Sequence, residues 1–160
     1  SNIFQNSPVK IVPSSTGEGT IAVATAGDTD GFIGTFQGVE FTDSDSRRRV
    51  SNKWTASTAG TDIVAYVTLD PSIVYEIQAN GSIAVTDIGK QADYTAISAG
   101  STTTGLSALM LDTATLTDSG NAQLRIIGLS PAPDNDFGDS FTIVQVQVSE
   151  HQNVADRAAY

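Results

Sequence analysis

Cysteine is absent from this 160-residue chain, and histidine and methionine occur once each, as His151 and Met110. No disulfide can staple the fold and no thiolate can hold a metal, so a zinc or redox centre would lack nearly all of its usual ligands. Any cation would have to sit among oxygens. Positive charge is also scarce. Eight bases against eighteen acids leave a formal net charge of -10 and a pI near 4.2, a balance that repels phosphate backbones. Apolar runs stay well short of the roughly 18 residues that a membrane span needs. The segment SNIFQNSPVK has no charged stretch followed by a long apolar one. The expectation is therefore a soluble chain without a secretion signal, with neither nucleic acid nor membrane as a partner. The length suits one domain, and a domain of about 150 residues buries roughly 68–70% of its unfolded surface, enough for a self-supporting core.

What the chain does contain is β texture. From Ile21 onward Thr, Val, Ile and Ala alternate, broken by AGDTDGF, TDSDSRRR, STAGTD and LDPS at intervals suited to strands and loops. Period-two patterning over 63–69, 73–78, 82–86 and 141–149 predicts an all-β fold, a single antiparallel β-barrel or β-sandwich. The strongest helix candidate, GLSALMLDTATL, is opposed by its β-branched residues and its flanking glycine. Before this β-domain of residues 21–153, SNIFQNSPVKIVPSSTGEGT carries Pro8, Pro13, Gly17 and Gly19 and reads as an extended N-terminal arm over residues 1–20. Its apolar residues Ile3, Phe4, Val9, Ile11 and Val12 are too many for a disordered tail and too scattered for a separate core, so the arm needs a surface to lie on. Residues 154–160 read as a C-terminal tail.

In TDIVAYVTLDPSIVYEIQANGSIAVTDIG, Ile63, Ala65, Val67 and Leu69 fall on one strand face, Asp70-Pro71-Ser72 turns the chain, and Ile73, Tyr75 and Ile77 resume the same period. Asn80-Gly81 then predicts a hairpin with a three-residue loop of Ala79, Asn80 and Gly81, pairing Ile77 with Ile83 and Tyr75 with Val85. Ile73, Val74, Tyr75 and Ile77 put apolar groups on both faces, which points to a homo-oligomer, a trimer or dimer.

Chemically capable residues resolve into structural readings. In TIVQVQVSEH the valines 144, 146 and 148 face one way, while Gln145, Gln147, Ser149 and His151 face the other, placing the histidine on an exposed polar face with Glu150 opposite. Asp134, Asp136 and Asp139 surround Gly138, but Phe137 stands where a calcium loop needs Asp or Asn. AGDTDGF places Asp28 and Asp30 correctly before Gly31, yet Ala26 and Gln37 occupy the outer ligand positions. Both read as acidic turns. GSTTTGLS misses the phosphate-cradling loop because Leu106 stands where lysine is required. Arg47-Arg48-Arg49, flanked by Asp43 and Asp45, reads as a locally paired basic loop that can also meet carboxylates on another chain. Trp54 reads as a core or subunit-interface anchor. No catalytic, cofactor or metal residue is expected, and the chain is not read as an enzyme.

The ordered segments TDIVAYVTLDPSIVYEIQANGSI, DIGKQADY, GSTTTGLSALML, AQLRIIGLSPAPDNDFGD and VQVQVSEHQ resemble small virion structural proteins of tailed bacteriophages, described as structural or capsid-associated. The resemblance spans Phe36 to Gln152 and supplies no catalytic residues. It implies a capsid decoration, or cement, protein on the virion surface, made in the bacterial host cytoplasm. Its partner would be the major capsid protein, met through Ile3, Phe4, Val9, Ile11, Val12, Arg47, Arg48, Arg49 and Trp54. A tail or baseplate subunit, or a receptor (carbohydrate)-binding module using Trp54, is the alternative.

Overall fold

The computed structural model describes residues 1–13, 19–27, 31–95 and 100–155. The strands are β1 (Ile3–Phe4), β2 (Pro8–Val12), β3 (Thr20–Val23), β4 (Gly34–Thr42), β5 (Arg48–Ser51), β6 (Lys53–Trp54), β7 (Thr61–Val67), β8 (Tyr75–Gln78), β9 (Gln91–Ala92), β10 (Tyr94–Thr95), β11 (Met110–Leu111), β12 (Leu124–Leu129) and β13 (Ile143–Val148). The only helical pieces among the described residues are 3-10 turns at Val85–Asp87 and Thr113–Thr115. The fold is all-β, as the alternation requires, and its ladders are antiparallel. Among the described residues the strands form separate sheets, and no closed barrel is seen. A five-stranded sheet runs β3-β2-β4-β5 with β7 on the other side of β4, and a four-stranded sheet runs β8-β13-β12-β9.

Each sheet buries its own cluster. Ile3, Val9, Ile33, Phe36 and Val39 form the core of the first, with Ile21, Phe41, Trp54, Ala65 and Val67 packed against it. Ile77, Ile83, Tyr94, Leu111, Leu124, Ile126, Val144, Val146 and Val148 belong to the second. Phe32 and Ile33 join the two: Phe32 enters the second cluster, edge-on to Tyr94 at 5.6 Å, while Ile33 enters the first. Opposite faces of one extended segment thus serve two cores.

The N-terminal residues differ from the expected arm. β2 lies between β3 and β4, pairing Val9 with Val23 and with Gly34, and β1 pairs Ile3 with Trp54. Ile3, Phe4 and Val9 are buried, whereas Ile11 is exposed and Val12 half-buried. Pro8 is the first residue of β2 and Pro13 follows its last, so the prolines bracket a strand they would have broken from within. At the other end Val154 is exposed and its N–H reaches His151 O, and 156–160 lie outside the described residues.

The expected hairpin is also replaced. β8 pairs with β13, Tyr75 opposite Val146 and Ile77 opposite Val144. Asn80 turns its amide to the 3-10 turn instead: Oδ1 accepts from the Thr113 N–H and hydroxyl, each at 2.9 Å, and Nδ2 donates to Asp112 at 3.1 Å. Gly81 does not take the positive φ that the three-residue loop demands. Ile83 is fully buried with its N–H on Thr142 Oγ1, and Val85 enters a 3-10 turn. The turn at Asp70-Pro71-Ser72 is formed, its Asp70 carboxylate accepting from the Ser72 N–H at 2.7 Å. GLSALMLDTATL is not helical. It supplies β11 and the 3-10 turn capped by Asp112, because threonine-rich sequence favours such local bonds over a helix.

Candidate functional site

β4 carries a bulge at Gln37, where the pairing steps from Phe36↔Val67 to Gly38↔Tyr66. The extra residue lets Phe36 and Val39 both face the core. Beyond it the rows Val50–Glu40–Val64 and Ser51–Val39–Ala65 cross the sheet. The first row lies on the outer face and the second on the inner one. The outer face therefore presents Val50, 78% exposed, with Val64 and Tyr66, both nearly half exposed.

Charged side chains on this face are held by cross-strand partners. Arg48 forms an ion pair with Glu40 and donates to Asp62 O at 2.8 Å. The Arg48 guanidinium, with help from the Tyr66 hydroxyl, holds the Glu40 carboxyl below its usual range. The hydrogen bond to Glu40, with burial, raises the Tyr66 phenol. Arg49 leaves on the opposite face and pairs with Asp43 at 2.7 Å, which lowers Asp43 together with the Arg47 backbone N–H. Arg47 is exposed, and its side chain has no partner among the described residues. The basic triplet thus supplies one cation open to solvent and two that are already neutralised locally.

Trp54 is half-buried, edge-on to Phe41 at 5.4 Å. With Ile3, Ile21, Phe36, Val39, Ile63 and Ala65 it lines a cleft of about 340 Å³ on the inner side of the sheet. A second cleft, of about 500 Å³, lies where the two sheets meet, over Phe32, Tyr94, Ile77, Leu124 and Val146. Its rim carries a chain of hydroxyls. Gln37 Nε2 donates to Thr35 Oγ1 at 2.9 Å, Thr35 and Thr68 share a bond at 3.1 Å, and Thr68 meets the Tyr75 hydroxyl at 2.8 Å. Of the apolar residues expected to be surplus here, Ile77 is buried and Tyr75 and Ile73 are half-buried, leaving Val74 exposed.

His151 corrects the sequence reading. β13 ends at Val148, and the chain then turns inward: the Phe32 N–H donates to Glu150 O and the Gln152 N–H to Phe32 O. Ser149, Glu150 and His151 are all buried. The strand alternation stops where the chain leaves its sheet to bridge the two clusters, so it no longer predicts a polar outer face. His151 Nδ1 accepts from the Asn153 N–H at 3.1 Å, which leaves Nε2 as the protonated nitrogen, buried and without a partner among the described residues. Gln152 holds the junction by clasping Ile11 through both its amide atoms, at 2.7 and 3.2 Å.

The remaining motifs are structural. In GSTTTGLS, a Cβ on Gly100 would meet the Phe4 ring, and Gly105 has φ +76 with Asn52 Cγ 2.7 Å from where its Cβ would be. The glycine spacing that imitates a phosphate loop serves close packing and a left-handed turn. Around Gly138 the Asp139 carboxylate accepts from the Asp136 N–H at 2.8 Å, an acidic turn. Asp28 and Asp30 lie outside the described residues. Val50, Val64 and Tyr66 are the surface residues that sequence reasoning missed. The signal for Val64 and Tyr66 was a strand, TDIVAYV, with apolar groups on both faces; Val50, alone in RRVS, gave none. The chain matches no family model, no curated protein and no solved structure.

Proposed function

We propose that this chain is a bacteriophage virion structural protein, a capsid decoration (cement) protein that lies on the outer shell, contacts the major capsid protein and bridges its subunits as a homo-oligomer. The observation that carries the reading is the outer face of the five-stranded sheet, where Val50, Val64 and Tyr66 stand exposed around the Arg48–Glu40 pair. A broad sheet face with apolar groups inside a polar frame is suited to docking on another protein surface. The ordered resemblance from Phe36 to Gln152 names the setting. Ile3, Phe4 and Val9 belong to the fold, so attachment falls to this face, to Arg47 and to Ile11.

The test is to add the purified chain to particles stripped of it and to reconstruct the particle image. Regularly repeated density over the shell is expected, with occupancy strongly reduced for Val50→Glu. Density confined to the tail or baseplate would favour the alternative reading, and no bound density would overturn the proposal.

A further inference from the structure

β7 is an open edge. Among the described residues it pairs with β4 alone, and at seven residues it is longer than β8, an open edge of the other sheet, which spans four and carries Glu76. Natural edge strands are guarded by lysine, proline, inward charges or bulges. Thr61–Val67 has no lysine and no proline, and its one charge, Asp62, sits at the N-terminal end beside the irregularity between Glu40 and Thr42. That irregularity is a bulge in β7, three of its residues spanning two of β4 with Asp62 at φ +51. The one guard thus sits at the end of the strand, and Ile63-Val64-Ala65-Tyr66-Val67 beyond it is an apolar run without lysine, proline or charge. The Thr68 N–H donates to Thr35 O at 3.0 Å, on the β4 side. Backbone groups alternate in direction along a strand, so those of Val64 and Tyr66 also face β4, and those of Ile63, Ala65 and Val67 point outward.

We infer that β7 pairs with β7 of a second copy, antiparallel and centred on Ala65, joining two five-stranded sheets through a two-fold axis. This register sets Ala65 opposite its own mate and Ile63 opposite Val67, the residues whose N–H and C=O groups face outward, so every outward group from 63 to 67 gains a partner. On the outer face it sets Val64 against Tyr66, an aromatic and β-branched pair of the kind that stabilises antiparallel ladders. Charge also favours a second copy. In a chain of net charge -10, the edge brings one carboxylate per copy, and the register holds the two Asp62 groups six residues apart, about 20 Å, beyond the Debye length of roughly 8 Å at physiological salt. The pairing supplies the copy-to-copy contact that the decoration reading calls for, but it is tested on the isolated chain, so the two stand or fall separately.

The absence of cysteine gives a clean background for cross-linking. Val64→Cys and Tyr66→Cys chains are prepared separately and oxidised mildly, alone and mixed. The mixture is expected to form the disulfide heterodimer, joining position 64 of one chain to position 66 of the other, at least several-fold faster than either variant forms its homodimer. Only unlike positions stand opposite each other in this register. Sedimentation should show a concentration-dependent dimer for the unmodified chain. Val64→Lys, at an exposed site, should raise the dimer dissociation constant at least about tenfold with an unchanged thermal transition. A chain that stays monomeric across the whole concentration series would overturn the proposal, as would equal cross-linking rates.

Discussion

Phe4→Ala separates a folded N-terminus from a free arm. Phe4 is 3% exposed, with its ring so close to Gly100 that a Cβ there would collide with it. Its own N–H meets Ser7 Oγ at 3.3 Å and its carbonyl accepts from the Ser7 N–H at 2.9 Å, closing the turn into β2. Truncating a buried phenylalanine removes transfer energy and leaves a cavity, about 3–5 kcal/mol together. In a protein of this size each kcal/mol moves Tm by about 2–4 °C, so the variant should melt about 6–20 °C below the parent. Were residues 1–20 an arm that orders only on a partner, the same change in the isolated chain would fall within about 0.5 kcal/mol. Scanning calorimetry on the isolated chain decides between these values. A Tm shift under about 2 °C would refute the packing argument. Deletion of residues 1–20 should abolish the transition, because it removes β2 from between β3 and β4.

Two further outcomes follow from buried polar groups. Burial raises the Asp93 carboxyl, opposed by the Gln123 N–H at 3.1 Å and aided by the Asp112 charge. With the folded pKa above the unfolded one, ionisation costs stability as pH rises past about 3.8, so Asp93→Asn should melt higher than the parent at pH 7 and lose that advantage below this value; a difference in Tm independent of pH would refute it. His151→Leu removes a buried N–H that has no partner among the described residues, a group whose desolvation costs about 1–3 kcal/mol, while water can replace the acceptor lost by exposed Asn153. Chemical denaturation should therefore find the variant as stable as the parent or more so, and a loss above about 2 kcal/mol would contradict the orphaned nitrogen.

Faces were legible in the sequence where a strand stays in its sheet. Val144, Val146 and Val148 are buried and Gln145 and Gln147 half-exposed, as alternation requires, and the inner row of Ala65 and Val67 follows the same logic. Neighbours were not legible. Periodicity states which residues share a face but not which strand lies alongside. Ile77 was expected beside Ile83 on the strength of Asn80-Gly81, yet it pairs with Val144, far along the chain, because Asn80 finds better partners in Thr113 and Asp112. His151 was misplaced for a related reason. Alternation was carried three residues beyond Val148, past the point where bonds to Phe32 take the chain out of its sheet.

The misfit in β7 runs the other way and carries more meaning. A run such as Ile63-Val64-Ala65-Tyr66-Val67, apolar on both faces, is the composition of a strand covered on both sides, while edge strands facing water usually alternate and carry charge. Here the run stands at an edge, with Val64 and Tyr66 nearly half exposed on one face and Ile63 half exposed on the other. Neither cluster within the chain uses these three side chains, although Ala65 and Val67 beside them are packed into the first. Among the described residues nothing covers these faces, and that mismatch between composition and position is what the proposed pairing answers. In the pairing inferred above, the outward backbone groups of β7 are met by another extended strand, and its apolar self-complementarity makes a second β7 the partner that leaves no charge buried.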